Sequence, residues 1–235
     1  MEALVERTSI EAFDELYRLH GAESQRKYPN EALIKFISGF KSSKEKPLKV
    51  LEVGCGSGAN LWMLAKEGFE TYGCDSSELA LELANNQLRE KWNVQASLQL
   101  GKFESLPYEN EYFDIVVDVL SLEHVTLESA RQALGEVNRV LKPAGKFFSF
   151  RLSDHSVMDL NVENSRLDFA TIENISNPKF PFHNNGPISF WSPSLTRSMY
   201  GDANLKVMEI ELYSRTYPTG HFVEYLSISG EKADS

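Results

Sequence analysis

The chain has 235 residues, 42% hydrophobic and 25% charged, a composition typical of a globular domain large enough to bury a sizeable core. Its formal net charge of −10 argues against a nucleic-acid partner, because phosphate binding requires a basic face. The sequence contains no apolar run near the ~20 residues of a membrane span. Its N-terminus lacks the basic start and apolar middle of a signal peptide, so we expect a cytoplasmic protein without a membrane span.

The cysteine and histidine residues argue against two further kinds of site. Cys55 and Cys74 have neither CxxC spacing nor the spacing of metal ligands, and the five histidines are scattered. We therefore expect no disulfide framework and no metal site, as is usual in a reducing compartment.

The first 47 residues are predicted to form a helical cap. Apolar residues between positions 9 and 20 recur at helical spacing, and Gly21 ends that helix. Pro29 is predicted to open a second helix at its first turn. A connector rich in lysine and serine, residues 41–47, follows this helix.

Residues 48–150 alternate short apolar runs with helices, a pattern that predicts a parallel sheet in an α/β domain. The predicted strands cover 49–53, 70–74, 97–100, 112–119 and 146–150. The predicted helices cover 59–67, 78–91 and 126–141. We interpret residues 48–150 as the cofactor-binding core of a single domain that spans 1–235.

The rest of the chain, after residue 150, consists of an irregular segment followed by a regular one. Residues 152–190 are rich in asparagine, proline and aromatic residues without a sustained period, which predicts an insertion that closes over a substrate. Residues 191–235 predict a short helix at 193–200 and then a closing hairpin of strands 205–216 and 222–229.

A glycine-rich motif follows the first predicted strand. It contains Gly54, Gly56 and Gly58 in GxGxG spacing and leads directly into a helix. Glycines suit this position because the backbone must turn sharply and let a ligand approach without a Cβ in the way. Asp75 follows the second strand, where a carboxylate can accept hydrogen bonds from both hydroxyls of a ribose. The combination predicts a site for a nucleoside cofactor.

Two details distinguish between such cofactors. The GxGxG spacing differs from the GxGxxG that is typical of sites for a pyrophosphate-bridged dinucleotide. Glu52 precedes the first glycine by two residues, and a carboxylate there repels a pyrophosphate but tolerates a cofactor with an ammonium and a sulfonium group. Both details argue against a nicotinamide-dependent oxidoreductase, which remains an alternative on a similar fold.

Further blocks of sequence resemble a known family. They are residues 51–58, 72–77, 104–108, 113–116, 122–125 and 141–145. In these blocks the chain resembles the class I S-adenosylmethionine-dependent methyltransferases, particularly the small-molecule group that includes the quinone-biosynthesis enzymes. The resemblance implies a Rossmann-like α/β fold with helices on both faces of a seven-stranded, mostly parallel sheet, in the order 3-2-1-4-5-7-6 with an antiparallel last strand. It also implies S-adenosyl-L-methionine as the cofactor.

The resemblance implies cofactor contacts residue by residue. The motif residues Gly54, Cys55, Gly56 and Gly58, with Glu52 beside them, would border the methionyl part of the cofactor. Further contacts would come from Asp75 and Ser76 at the ribose, the Phe103 amide at the adenine, Leu120 and Ser121 at the amino-acid end, and Arg26 and Tyr28 from the N-terminal segment.

Lys102 departs from the family pattern. The family usually has an acidic residue just before Phe103, where it bonds the adenine amino group. Lysine has no acceptor atom for that amine, so we expect Glu104 or a water molecule to take its place.

Catalytic and substrate-binding candidates lie beyond the fourth and fifth strands. His124 is the candidate acid or base, and a histidine that only bonds a loop carbonyl is the alternative. Asp154, His155, Phe182 and Trp191 are candidate substrate contacts, although the aromatic residues also fit a hydrophobic cluster under the insertion.

The sequence therefore predicts an enzyme that transfers a methyl group from S-adenosylmethionine to a small-molecule acceptor. The acceptor is a hydroxyl, an amine or an activated carbon of a sugar-like or quinone-like metabolite, and the asparagines of the insertion favour a hydroxylated one. A protein that binds the cofactor without catalysis is the second alternative, because Lys102 weakens the adenine contact.

Overall fold

The computed structural model describes residues 8–42, 45–159, 166–175, 177–178 and 180–233, with the backbone alone for 157–159. Its main sheet consists of β1 Lys49–Val53, β2 Glu70–Asp75, β3 Ser97–Leu100, β4 Phe113–Val119, β5 Leu141–Leu152, β8 Leu205–Thr216 and β9 Phe222–Lys232. A second, small sheet consists of β6 Thr171–Ile172 and β7 Ile188–Ser189. The helices are α1 Ser9–His20, α2 Glu31–Ile37, α3 Leu61–Lys66, α4 Glu78–Asn86, α5 Leu127–Val140 and α6 Pro193–Asp202.

The main sheet has the order β3-β2-β1-β4-β5-β9-β8. The first five of these strands are parallel, whereas β9 pairs with β5 and with β8 in antiparallel register. Since β6 and β7 belong to the second sheet, this order is the predicted 3-2-1-4-5-7-6 with the hairpin strands renumbered. The predicted Rossmann-like α/β topology, with its antiparallel last strand, is thus confirmed.

The central strands of the sheet are buried on both faces. Val50 and Val117 pack into one apolar cluster, whereas Leu51 and Val116 pack into the other, so neighbouring residues of one strand serve opposite faces. Each face is covered by helices and loops, which explains why the central strands are nearly continuous apolar runs.

The boundaries of some elements differ from the sequence prediction. Pro29 precedes α2 rather than opening it, because the Asn30 side chain accepts a hydrogen bond from the Leu33 amide and so caps the helix at residue 30. The predicted helix over 78–91 is α-helical only to Asn86 and continues as a π-turn over Gln87–Lys91. Strand β5 begins at Leu141, five residues before its predicted start, and includes Ala144 at a positive φ of 57°.

The described part of residues 152–190 contributes to the core as well as to the surface. Ile172, Ile175, Phe180 and Ile188 are buried in the cluster on one face of the sheet. Its short strands β6 and β7 hold two of these side chains in place. Within the described residues, no helix combines the length and apolar character that crossing a membrane requires.

Candidate active site

The glycine loop follows β1 at the carboxyl edge of the sheet, where α/β proteins bind ligands. Gly54 and Gly56 have positive φ angles of 65° and 51°, which glycine adopts without strain. The amides of Gly54 and Cys55 both donate to the Cys74 carbonyl oxygen, at 2.8 and 3.1 Å. These bonds hold the loop against the end of β2.

Asp75 at the end of β2 organises this loop. Its two carboxylate oxygens accept hydrogen bonds from the Gly56 amide at 2.8 Å and from the Ser77 amide at 3.0 Å. Burial raises the pKa of the Asp75 carboxyl, while these backbone bonds oppose the rise. The α1 residue Asp14 accepts a bond from the Ser77 hydroxyl at 2.5 Å, so the N-terminal helix lies beside the same loop.

Glu52 lies on β1 and is 2% exposed. It lines the cavity that is described below. Its Oε1 accepts a 2.5 Å bond from Asn60 Nδ2, and Asn60 Oδ1 accepts from the Asn30 amide at 2.9 Å. Its Oε2 has no hydrogen-bond partner among the described residues. Burial raises the pKa of Glu52 to about 8, against the opposing influence of Asn60 and the Arg26 guanidinium.

The turn after β4 is fixed by Asp118. This carboxylate accepts bonds from the amides of Ser121 and Leu122 at 3.2 and 3.1 Å, and from the Ser149 hydroxyl at 2.7 Å. The Ser121 hydroxyl lies 2.9 Å from the Val53 carbonyl oxygen, which joins the turn to the end of β1. The ends of β1, β4 and β5 are therefore held together by one buried polar network.

Glu123 follows this turn and is fully buried, at 0% exposure. Neither of its carboxylate oxygens has a hydrogen-bond partner in the part of the chain that the structure describes. Burial and the nearby Asp118 raise the pKa of Glu123 to about 8, while Arg151 and Arg26 oppose the rise. A buried carboxyl group without a partner is costly to stability, so it requires a functional explanation.

His124 is held on two sides. Its Nδ1 lies 3.3 Å from the Pro187 carbonyl oxygen, and its ring meets that of Phe13 edge-on at 4.9 Å. The Ser9 hydroxyl donates to the backbone carbonyl of His124 at 3.1 Å. Burial lowers the pKa of His124 to about 4, so the imidazole is neutral near pH 7.

These elements surround one cavity of about 950 Å³, large enough for a cofactor and a second small molecule. Along the carboxyl edge of β1, β2 and β4 it is lined by Glu52, Gly54, Cys55, Gly56, Asp75, Ser76, Lys102, Phe103, Glu104, Leu120 and Ser121. Toward β5, β9 and β8 it is lined by Phe150, Tyr213, Arg215, Tyr217 and Tyr225. Arg26, Glu123, His124, Pro181, Phe182 and Asn185 also lie on its wall.

The cavity thus brings together most of the site residues proposed from the sequence. Of the described candidates, five lie away from its wall: Tyr28, Gly58, Asp154, His155 and Trp191. Gly58 has a φ of 84°, and a Cβ there would lie 3.3 Å from the Ala84 Cβ, so its role is close packing against α4.

The other four are placed elsewhere by their contacts. Tyr28 is 61% exposed. The Nδ1 atom of His155 lies 2.9 Å from Oε1 of Glu224, and the amide of its neighbour Asp154 donates to the Trp191 carbonyl. Trp191 is fully buried, with the Arg151 guanidinium 3.3 Å from the centre of its ring, so it packs in the core rather than against a substrate.

Several cavity residues were missed by the sequence prediction. Tyr17 lies next to the glycine loop, since a Cβ on Gly56 would lie 3.0 Å from its hydroxyl oxygen. Glu123 has a signal in the sequence, because it is a charged residue directly before His124 in the turn that follows β4. Tyr213 and Tyr225 have none, because only the folded hairpin brings them to the cavity.

A metal site is absent from the described residues, where no group of three or more histidine, cysteine or acidic side chains is arranged to bind an ion. Cys55 and Cys74 are both buried as free thiols, and burial raises the pKa of each. They are accordingly poor nucleophiles at neutral pH.

The buried carboxyls predict that the free protein loses stability as the pH rises. In the unfolded chain they ionise near pH 4.5, whereas in the folded protein the pKa values of Glu52 and Glu123 are about 8. Between these values the unfolded state binds fewer protons, so each group lowers the free energy of unfolding by up to about 1.4 kcal/mol per pH unit.

Urea unfolding at pH 5 and pH 8 measures this effect. The Glu52→Gln variant is expected to lose less stability than wild type over that interval, because the amide that replaces the carboxyl does not titrate. The matched Glu128→Gln variant removes an exposed carboxyl and should keep the wild-type slope. Equal slopes in all three proteins would mean that Glu52 is ionised throughout.

Comparison with known proteins agrees with this architecture. A family model described as a methyltransferase domain matches residues 51–149. The uncharacterised methyltransferase YcgJ of Bacillus subtilis is 33% identical over 107 residues, covering 46% of this chain and 40% of the relative. The ubiquinone biosynthesis O-methyltransferase of Coxiella burnetii is 32% identical over 119 residues, covering 51% of this chain and 49% of the relative.

Structural comparison extends the likeness beyond the matched sequence. A methyltransferase of Methanosarcina mazei, described as S-adenosylmethionine-dependent, superposes with a TM-score of 0.71 at 17% identity, covering 88% of this chain and all of the other. At that identity the likeness shows the fold alone. This chain also spans about half the length, or less, of the curated relatives it matches.

The family match includes β1, the glycine loop, Asp75 and the turn after β4, which together form one side of the cavity. The superposition covers most of the strands and helices around it. The methyltransferase domain model thus matches residues 51–149, and the chain has the fold of the class I S-adenosylmethionine-dependent methyltransferases.

Proposed function

We propose that this protein transfers the methyl group of S-adenosylmethionine to a small-molecule acceptor. The observation that carries the proposal is the single cavity that joins the glycine loop and Asp75 to an aromatic wall on β5, β8 and β9. One end of this cavity has the residues that the family uses for its cofactor. The other end is space for a second molecule.

The residues of the loop fit the cofactor. Gly54 and Gly56 adopt left-handed conformations and have no side chains, so a ligand can approach the backbone closely at these two positions. Asp75 and Ser76 would hold the ribose, Glu52 would lie near the methionyl end, and Arg26 would pair with its carboxylate. Arg26 suits that role because it lines the cavity, is half-buried, and has no hydrogen bond or ion pair to another described residue.

Lys102 and Glu104 both line the cavity, on either side of Phe103. Glu104 is half-buried and offers acceptor oxygens, whereas Lys102 is exposed and offers only donors. We infer that Glu104, rather than Lys102, bonds the adenine amino group.

The bound cofactor supplies an electrophilic methyl group on a positively charged sulfur. The protein's part is to hold the acceptor in line with that methyl and to exclude water, and such positioning can lower a barrier by roughly 7–11 kcal/mol. Residues of α1 and of the insertion enclose the cavity, among them Phe13, Tyr17 and Phe182. A small molecule fits the space beside the cofactor end of this cavity.

Calorimetric titration with S-adenosylmethionine, S-adenosylhomocysteine and NAD⁺ tests the proposal. We expect one site for each of the first two ligands and no binding of NAD⁺. Transfer of label from methyl-tritiated S-adenosylmethionine to the small-molecule fraction of a bacterial extract then tests catalysis, with Glu128→Gln as a control that keeps it. Binding without any transfer would identify a catalytically silent protein, and binding of NAD⁺ in place of S-adenosylmethionine would indicate an oxidoreductase.

A further inference from the structure

Arg215 is a positively charged residue on the wall of the cavity that the cofactor site does not use. It lies near the end of β8, where it pairs in register with Val223 of β9. Tyr213, two residues earlier, also lines the cavity, and side chains two apart on a strand share one face of the sheet. The alternation of the strand therefore turns the Arg215 side chain toward the cavity.

The Arg215 guanidinium has aromatic neighbours. It lies over the Tyr217 ring, 4.9 Å from the ring centre, and the Tyr217 hydroxyl lies 2.9 Å from that of Tyr225. Burial, Tyr217 and Glu123 raise the pKa of the Tyr225 hydroxyl, and the Arg215 guanidinium opposes this rise from nearby. Arg215 has no hydrogen bond or ion pair to another described residue, so its N–H donors are open to a molecule in the cavity.

Arg215 also lies at the end of the cavity away from the glycine loop. Its strand β8 is the edge strand, four positions from β1 in the sheet order. At about 4.8 Å per strand, β8 and β1 are roughly 19 Å apart across the sheet. Of the described wall residues, the others with a cationic side chain are Arg26 and Lys102, at the methionyl and adenine parts of the proposed cofactor site. Arg215 is therefore the cation that a second molecule would meet.

We propose that Arg215 binds a carboxylate of the methyl acceptor and thereby selects small carboxylic acids as substrates. The inference rests on the proposed methyl transfer and narrows its substrate class. A guanidinium meets a carboxylate with two parallel N–H···O bonds, which fix orientation as well as position. Because the carboxylate is held at the β8 end, an electron pair of a different acceptor atom forms the bond to the methyl carbon. The carbon–sulfur bond breaks with its electrons on sulfur, any proton on that atom passes to solvent, and the product keeps its carboxylate.

The charges at this end of the cavity favour a carboxylate over a phosphate. One guanidinium matches the single negative charge of a carboxylate, whereas a phosphate monoester has a charge of about −1.5 to −2 near neutral pH. Glu31 lines the same cavity and faces Tyr213, so it adds a negative charge there. Lys35 also faces Tyr213, but it lies off the cavity wall and is paired with Glu211. A second cation for a phosphate is therefore absent from the described part of this wall.

The first test identifies the product of the wild-type protein. The full chain is incubated with methyl-deuterated S-adenosylmethionine and the small-molecule fraction of a bacterial extract, and labelled products are separated by anion exchange at neutral pH and identified by mass spectrometry and NMR. The labelled product is expected to be retained and to contain a free carboxylate, with the new methyl on another atom. A neutral product, a phosphate ester without a carboxylate, or a methyl ester of the carboxyl would overturn the inference while leaving methyl transfer intact. Absence of any labelled product would contradict the proposed function itself.

Arg215→Gln then tests the residue with the isolated acceptor. The KM for the acceptor should rise about 10-fold to 100-fold, because the carboxylate loses its charged partner. Both kcat and the affinity for S-adenosylhomocysteine should stay within about two-fold of wild type, since the lost bond is made before and during transfer alike. Arg215→Lys keeps the charge but not the two parallel donors, so an intermediate KM is expected. The control Arg89→Gln removes an exposed arginine away from the cavity wall and should behave as wild type.

The primary amide of the same acceptor separates recognition of the carboxylate from a structural effect of the substitution. With the wild-type protein, the amide should have a KM higher than that of the acid by about the factor that Arg215→Gln causes. With Arg215→Gln, the KM values of acid and amide should differ by less than about three-fold, because the group that distinguishes them is gone. If Arg215→Gln prefers the acid as strongly as wild type does, or has an unchanged KM for it, Arg215 does not bind the carboxylate and the inference is wrong.

Discussion

Gly54→Ala is expected to weaken S-adenosylmethionine binding by at least ~100-fold, because the added methyl group has no room beside the turn after β4. A Cβ on Gly54 would overlap the Cβ of Ser121, lie 2.5 Å from its hydroxyl oxygen and 3.1 Å from the Phe103 ring. Ser121 cannot withdraw easily, since its hydroxyl lies 2.9 Å from the Val53 carbonyl and its amide bonds Asp118. The glycine loop would have to move instead, and the cofactor contacts would move with it.

Gly68→Ala is the matched control for backbone strain. Gly68 has a φ of 87°, and a Cβ there meets no heavy atom within 4 Å among the described residues. Its substitution should cost about 1–2 kcal/mol of stability through the left-handed conformation and leave cofactor affinity unchanged. Calorimetric titration of both variants, with melting temperatures to show that they fold, separates steric exclusion at the loop from strain. Normal affinity in folded Gly54→Ala would remove this loop from the cofactor site.

The sheet could be predicted from the sequence because its signals are local. Strands β1 and β3 have the predicted boundaries, since short apolar runs end there at turn residues. The start of β5 was missed because residues 142–145, Lys-Pro-Ala-Gly, have the composition of a helix terminus. In the structure, the chain bends at Ala144 instead and pairs with β4 on both sides of the irregularity.

The cofactor end of the candidate site was predictable because its residues directly follow strands of the parallel sheet. Gly54, Gly56 and Asp75 lie at strand ends whose order in a parallel sheet is known in advance, and all three line the cavity. Tyr17 and Tyr225 come from distant elements, and nothing in their local sequence distinguishes them from ordinary core residues. Their places depend on the packing of α1 and on the register of the β8–β9 hairpin.

Aromatic residues in and directly after the insertion also show what local sequence cannot predict. Phe182 and Trp191 were both candidate substrate contacts, yet Phe182 lines the cavity and Trp191 is fully buried against Arg151. Burial of an aromatic side chain is favourable in either place, so composition does not separate the two outcomes. Phe180, two residues from Phe182, is likewise a core residue at 2% exposure.

Because the insertion contributes residues both to the core and to the cavity wall, its role should be tested by single substitutions. Replacing residues 160–185 by a flexible linker would remove the core residues Ile172, Ile175 and Phe180 together with the cavity residue Phe182. A loss of methyl transfer in that variant could then result from lost core packing and would not identify a role of the insertion in substrate binding. Single substitutions on the cavity wall avoid this problem, and the same reasoning favours point changes at the cofactor end.

Asp75→Ala is expected to weaken S-adenosylmethionine binding by about 1–3 kcal/mol, roughly 5-fold to 150-fold, because two ribose hydroxyls would lose a charged acceptor. In the structure the carboxylate also holds the Gly56 and Ser77 amides, so the substitution loosens the loop as well. Comparing ligands separates these effects. Wild type should prefer S-adenosylhomocysteine to its 2′,3′-dideoxy analogue, and Asp75→Ala should lose that preference.

Asp75→Asn is the conservative variant for this experiment. It keeps one oxygen acceptor in nearly the same shape but has no negative charge, so an affinity between those of wild type and Asp75→Ala is expected. If Asp75→Ala weakens both ligands equally and still distinguishes them as wild type does, the carboxylate acts on the loop and not on the ribose. The preference for the hydroxylated ligand would then come from another acceptor on the same wall, such as Ser76 beside Asp75 or Glu104 after the neighbouring strand β3.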